Sequence, residues 1–526
     1  MRYKRFLFCL TLMLLCTSII FPGLTEETVS VEPVDILVVY SEEEDRKTGA
    51  DNLSALAQVL FCLRYSVDFV EAADAKAVIG GYDNVIWCAS AGSRRLDPSM
   101  LSNYNGNLMV LGQTTGLAGI GIETTSPLSS ARIGVANYAF GDIQTFSASV
   151  DLLNPGCVRD ADYTNGTLQA LGQEAPLVSG REGLYYIPLM DYTTEFAKAI
   201  LSEEIAQWLW PYENRMNTFT QYVVLDELYP FFDPYRLKTL VEYMVEKKMN
   251  FVLSVMPIYE HADYPAMHEF CEVLRFAQAN GGGVIMHAPI IQDTPTPETL
   301  AGYLANATQN YFEQDVYLLG LEAPSEWLFQ PGLREVLSRY GTLFFSDLDA
   351  FPGHSVGEYR LTDYLMLGSQ QIAPAFHLDE TGVGHVPTYA SAVYLDVDMK
   401  TDKELLSVID TAKDSPIPMQ SLWDMKESVY CDKGYYLTWD LNTLIVNDSQ
   451  RFNVYTPSTT DKDFDYRRDV YYRFVANLTN QNNFLIIGSA VMLLIFVVLC
   501  IRSRKQMHRR FLKKTILPRQ NEVKGE

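Results

Sequence analysis

The chain has 526 residues and a formal charge of −24 at pH 7, with 65 acidic against 41 basic side chains. Such an acidic balance excludes nucleic acid and anionic surfaces as partners of the main body. Between the two apolar ends the cysteines are Cys62, Cys88, Cys157, Cys271 and Cys431, an odd set without a CxxC pair, which excludes a zinc ribbon and a dense disulfide framework.

The length suggests several domains, at roughly 100 to 200 residues each. At the start, Arg2, Lys4 and Arg5 precede an uncharged run from Phe6 to Phe21 that ends at Pro22 and Gly23. This is the layout of a signal peptide or N-terminal anchor over residues 1–24. Residues 25–214 begin with alternating strands and helices. Val34–Tyr40, Ser66–Val70, Tyr82–Cys88 and Asn107–Gly112 are apolar runs, with a helical spacing over Leu53–Leu63. Buried strands separated by helices predict a parallel, doubly wound sheet, flavodoxin-like or amidotransferase-like in its order of elements. No Gly-x-Cys-x-Gly elbow and no G-x-G-x-x-G loop accompanies it. Residues 121–190, rich in Gly, Ser, Thr and Tyr, read as β-rich additions to that domain, and a helix over Glu195–Leu209 leads out of it.

Near residue 215 the pattern changes. The apolar strand Tyr222–Leu225 ends in Asp226 and Glu227, and Asp233-Pro234 then opens a helix with a side-chain cap and a proline in the first turn. A second strand, Phe251–Met256, stops at Pro257. Next come the helical stretch CEVLRFAQAN, the stop Gly281-Gly282-Gly283, and a third strand, Val284–Met286, ending in His287. Strands that end in acids and histidine, each followed by a helix, predict a β/α barrel with its site at the carboxyl ends of the strands.

Residues 215–435 resemble the polysaccharide deacetylase-like family, in particular the branch long catalogued as a domain of unknown function with that fold. The matching elements are Asp226-Glu227-x-Tyr229-Pro230-Phe231, Asp233-Pro234-x-Arg236-Leu237, the SVMPIY strand, Leu274–Gln278 with its glycines, the strand to His287, and Gly320-Leu321-Glu322-Ala323-Pro324. The resemblance implies a distorted (β/α) barrel and metal-dependent removal of acetyl groups from an exopolysaccharide or wall polymer. It implies a divalent metal, zinc before others, held by Glu227 and His287, with Asp226 as base and His385 as general acid. Tyr229, Tyr259 and Glu322 would face the sugar. In the family a second metal-binding histidine follows four residues after the first, and here that place is Ile291. A further ligand would have to come from Asp293 or His261, because a catalytic zinc usually has three protein ligands. Two readings therefore stay open: a deacetylase, or a catalytically degenerate polysaccharide-binding or assembly component without metal.

Residues 436–483 read as a β appendage or stalk. Phe484–Ile501 is uncharged and apolar, near the length of about 20 residues needed to span the hydrocarbon core. The basic tail 502–526, with Arg502, Arg504 and Lys505, marks a cytoplasmic flank. The two ends together predict a cell-membrane protein with a C-terminal transmembrane helix and an extracellular main body, next to polysaccharide and export or synthase machinery.

Overall fold

The computed structural model describes most of residues 35–451, together with residues 488–489 and 492–507. The chain divides into two compact units, Met1–Val454 and Tyr455–Glu526. The first unit holds a nine-stranded sheet, a closed barrel and a small antiparallel sheet.

The nine-stranded sheet is built from β1 (Asp35–Tyr40), β2 (Ser66–Glu71), β3 (Asn84–Ala89) and β4 (Asn107–Gly112), and then from β6 (Ile133–Phe140), β7 (Gln144–Asp151), β9 (Tyr163–Ala170), β10 (Gln173–Arg181) and β11 (Leu184–Ile187). β5 (Ile122–Thr124) and β8 (Gly156–Val158) pair separately. The order β2-β1-β3-β4-β11 is parallel throughout, and β10, β9, β6 and β7 continue the sheet antiparallel. Burial follows this change. Every residue of β3 is buried, whereas β6 alternates between buried and open positions, as strands do when one face meets water. Helices α1 (Arg46–Cys62), α2 (Ala72–Val78) and α3 (Glu195–Leu209) complete the domain. Asn52 on α1 ties the end of the sheet region down: its amide donates to Met190 O and its oxygen accepts from Tyr192 N, at 3.0 and 2.8 Å.

The barrel contains seven parallel strands in chain order, closed by pairing of the last with the first. They are β12 (Gln221–Leu228), β13 (Val252–Val255), β14 (Gly283–His287), β15 (Leu321–Glu322), β16 (Thr342–Phe344), β17 (Gln370–Pro374) and β18 (Ser391–Asp396). Helices α4 (Pro234–Glu246), α5 (Pro265–Ala279), α6 (Pro297–Phe312), α7 (Pro331–Leu337) and α8 (Asp402–Lys413) connect or follow them. Their starts are chemically marked. The Asp233 carboxylate accepts from Tyr235 N at 3.0 Å and Arg236 N at 3.4 Å, and Thr401 with Glu404 forms a capping box on α8. The Tyr222 ring meets Phe344 edge-on at 5.5 Å, which shows which side chains of β12 and β16 point into the barrel.

The small sheet comprises β19 (Lys426–Cys431), β20 (Tyr435–Asp440), β21 (Thr443–Val446) and β22 (Ser449–Arg451). It therefore takes in Lys426–Cys431, a stretch the sequence reading assigns to the barrel. It is docked by buried tryptophans: Trp439 Nε1 donates to Leu422 O at 2.8 Å, and Trp423 Nε1 to Gly282 O at 2.9 Å. Residues 1–24 and 452–483, on which the expected signal and stalk fall, lie outside the described residues.

The expected transmembrane helix is overturned, and with it the single-pass anchor and the membrane localisation. Among the described residues, no helix is long and apolar enough to cross a membrane.

Candidate functional site

The carboxyl ends of β12, β14 and β15 bring Asp226, His287 and Glu322 together, with one ligand atom of each lying within 4.8 Å of the others. Strand periodicity and pairing explain this meeting. Tyr222 points inward, and with a period of two so do Val224 and Asp226. His287 stands directly opposite Glu322 in the β14–β15 register.

Beyond Asp226 the ladder to β13 slips between Leu225 and Leu228. Glu227 occupies this bulge with a φ of 52°, a left-handed conformation that costs a residue with a Cβ roughly 1–2 kcal/mol. The turn lets the Glu227 N–H donate to Asp226 Oδ1 at 2.7 Å, so the bulge fixes the orientation of the acid before it. The Glu227 side chain is exposed and is not a member of the acid–histidine group. Of the expected ligand pair, His287 belongs to this group and Glu227 does not; the carboxylates beside His287 are Asp226 and Glu322, the latter placed at the sugar by the sequence reading.

His287 Nδ1 lies 2.6 Å from Ala288 O. A carbonyl oxygen only accepts, so Nδ1 carries the hydrogen and the Nε2 lone pair is left for the site, where it lies 3.9 Å from Glu322 Oε1. Glu322 is 1% exposed. Its Oε2 accepts from the buried Ser254 Oγ–H of β13 at 2.5 Å, and Ser346, just past β16, also hydrogen-bonds the carboxylate. Asp226 faces the same carboxyl closely enough to share a proton with it, and no N–H or hydroxyl donor meets Glu322 Oε1. Burial, and secondarily the charge of Asp226, push the Glu322 carboxyl well above the usual carboxylate range.

Two carboxylates, one of them with an oxygen that no donor meets, and one imidazole lone pair form a donor set that suits a divalent cation. Asp, Glu and His are all ordinary zinc ligands, and three protein ligands leave a position for water. The serines would orient the ligands from behind, as hydrogen-bond partners of metal ligands commonly do. Sequence reasoning passes over both. Ser254 carries a signal, because it is the one hydroxyl in the apolar run Val252–Val255. Ser346 is exposed and carries none.

The other expected site residues are spread around the mouth. Tyr229 is half-buried, with its ring edge-on to Phe232 at 6.4 Å. Tyr259 follows β13 and packs at 5.1 Å on Tyr303 of α6, and burial and that neighbour push its phenol up to about 12. Tyr264 stacks on His261 at 4.5 Å. Phe231, Ile290 and Ile291 are exposed on the same strand exits, so the β12–β14 side of the mouth is rimmed by aromatic and aliphatic groups. Ile291, at the place of a second histidine, supplies no ligand. The expected general acid His385 and the supplementary ligand Asp293 lie outside the described residues.

No protein-family model and no curated protein sequence matches the chain.

Proposed function

We propose that the chain is a metal-dependent hydrolase of the deacetylase type, removing acetyl groups from N-acetylated polysaccharide. The observation that carries this reading is the buried Glu322 Oε1, which no N–H or hydroxyl donor meets, beside His287 Nε2 and Asp226. A buried carboxylate oxygen without a donor is costly unless a proton or a cation meets it. Asp226, His287 and Glu322 would hold the cation. Once bound, the ion would polarise the acetamide carbonyl and lower the pKa of a water molecule.

The residues of the chain divide the remaining work. Glu322, held by Ser254 and Ser346, and His287, held through Ala288 O, are fixed in place. Asp226 is the less buried of the two carboxylates, so it is the base that can pass a proton on to solvent. In the reaction the oxygen of water bonds to the acetyl carbon, the C–N bond breaks, and the proton taken by Asp226 returns to the leaving amine. Exposed rings such as Phe231, Tyr259 and Tyr264 offer faces for the apolar sides of sugar rings.

A second reading, a polysaccharide-binding component without catalysis, is favoured by one observation: a single histidine, with Ile291 where a second would stand. Acetate release from N-acetylated oligosaccharides, measured with added zinc or cobalt, separates the two. Metal-dependent release that Asp226→Asn abolishes supports the enzyme. Polymer binding with no release at any metal concentration supports the second reading.

A further inference from the structure

The segment that leaves β16 is held on both sides by the N-terminal domain. Phe344 points into the barrel, so its successor Phe345 points out, and the Phe345 ring meets Phe61 of α1 edge-on at 5.6 Å. Three residues further on, Leu348 O accepts from Gln58 Nε2, also on α1, at 2.9 Å. Phe345 and Leu348 are both buried there. Gln58 is itself steadied by Lys198 of α3, whose ammonium lies 3.5 Å from Gln58 Oε1 and 5.3 Å above the ring of Phe376, just past β17. Between the two anchors sits Ser346, which alternation returns toward the mouth and whose hydroxyl bonds Glu322.

The barrel holds the start of this segment, with Phe345 N–H donating to Ile372 O at 3.0 Å and Phe344 O accepting from Ala323 N–H at 2.9 Å, and leaves the part beyond Phe345 to the N-terminal domain. β16 has three residues and β15 two, so the ladder does not reach Ser346. A solvent-exposed serine on such a strand end would exchange its partner freely with water. From this geometry we infer that the N-terminal domain is a positioning part of the barrel's site: Gln58 fixes Leu348, Phe61 fixes Phe345, and together they hold Ser346 on the Glu322 carboxylate. Gln58 and Phe61 are positioning residues that act through Ser346.

The inference rests on the metal reading, and zinc affinity of the full chain tests both. Calorimetric titration with zinc should show Phe61→Ala and Ser346→Ala each weakening binding by about tenfold, the scale typical of a lost outer hydrogen-bond partner. The double variant should be no weaker than either single one, because both remove the same support. Gln58→Ala, a smaller change, should weaken binding in the same direction and serves if Phe61→Ala does not fold. Val85→Ala, in the core of the nine-stranded sheet, should lower the melting temperature and leave zinc affinity unchanged. Unchanged affinity in Phe61→Ala and Gln58→Ala, or effects that add to that of Ser346→Ala, overturn the inference while the metal reading stands. A wild-type chain that takes up no zinc overturns both.

Discussion

Ser254→Ala isolates the best-defined support of the site. The serine is fully buried on β13 and donates its hydroxyl to Glu322 Oε2, an acceptor that is 1% exposed. A hydrogen bond to a charged group contributes about 1.5–3 kcal/mol. The bond is of most value when Glu322 is an anion facing a cation, so its loss should fall mainly on the metal-bound state. At about 1.4 kcal/mol per factor of ten, zinc affinity should drop roughly 10- to 100-fold. Calorimetry with a competing chelator measures that change directly. Ser254→Thr, which keeps the hydroxyl, should recover part of the loss. Zinc affinity in Ser254→Ala equal to that of the wild type would refute the reasoning, since the bond would then not be orienting a ligand.

Three further outcomes follow from the geometry. Glu227→Gly should raise stability by about 1 kcal/mol in chemical denaturation, because glycine accepts the φ of 52° without strain, and zinc affinity should be unchanged; a large loss of affinity would restore Glu227 as a ligand. Asp226→Asn should abolish acetate release while the thermal transition stays near that of the wild type. The third concerns Glu204 on α3, whose carboxylate accepts from Tyr138, from Tyr163 at 3.2 Å and from Asn165 at 2.8 Å. Burial above all raises its pKa from 4.5 to about 7. The folded state therefore keeps a proton that the unfolded state releases, so stability is full below pH 4.5 and declines as pH rises through 7, by roughly 3 kcal/mol in all. Glu204→Gln should flatten that decline when hydrogen-exchange protection of α3 and β9 is compared at pH 5 and pH 8; an equal decline in the variant would assign it to other groups.

Much of the scaffold is written in the sequence because burial leaves a period. Within the run read at Val34–Tyr40, Ile36–Val39 are apolar on both faces and lie in β1, and the strand read at Tyr222–Leu225 is the core of β12. Asp233-Pro234 states a helix start in chemistry as well as pattern. The site was legible only where a strand was long enough to show where it ends, as with Asp226 and His287. Glu322 lies on a two-residue strand, too short for any periodicity, so its place beside His287 comes from barrel closure rather than from a local signal. The bulge that turns Glu227 away has no glycine or proline to announce it. The apolar run near the C-terminus is a signal of hydropathy alone, and among the described residues no helix is long and apolar enough to cross a membrane.

The central claim is that Asp226, His287 and Glu322 hold a divalent cation. Elemental analysis of the purified chain after zinc loading and exhaustive dialysis tests it most directly. About one ion per chain is expected for the wild type, and far less for Glu322→Gln and for His287→Ala. A wild-type chain without retained metal, or variants that retain as much as the wild type, would contradict it.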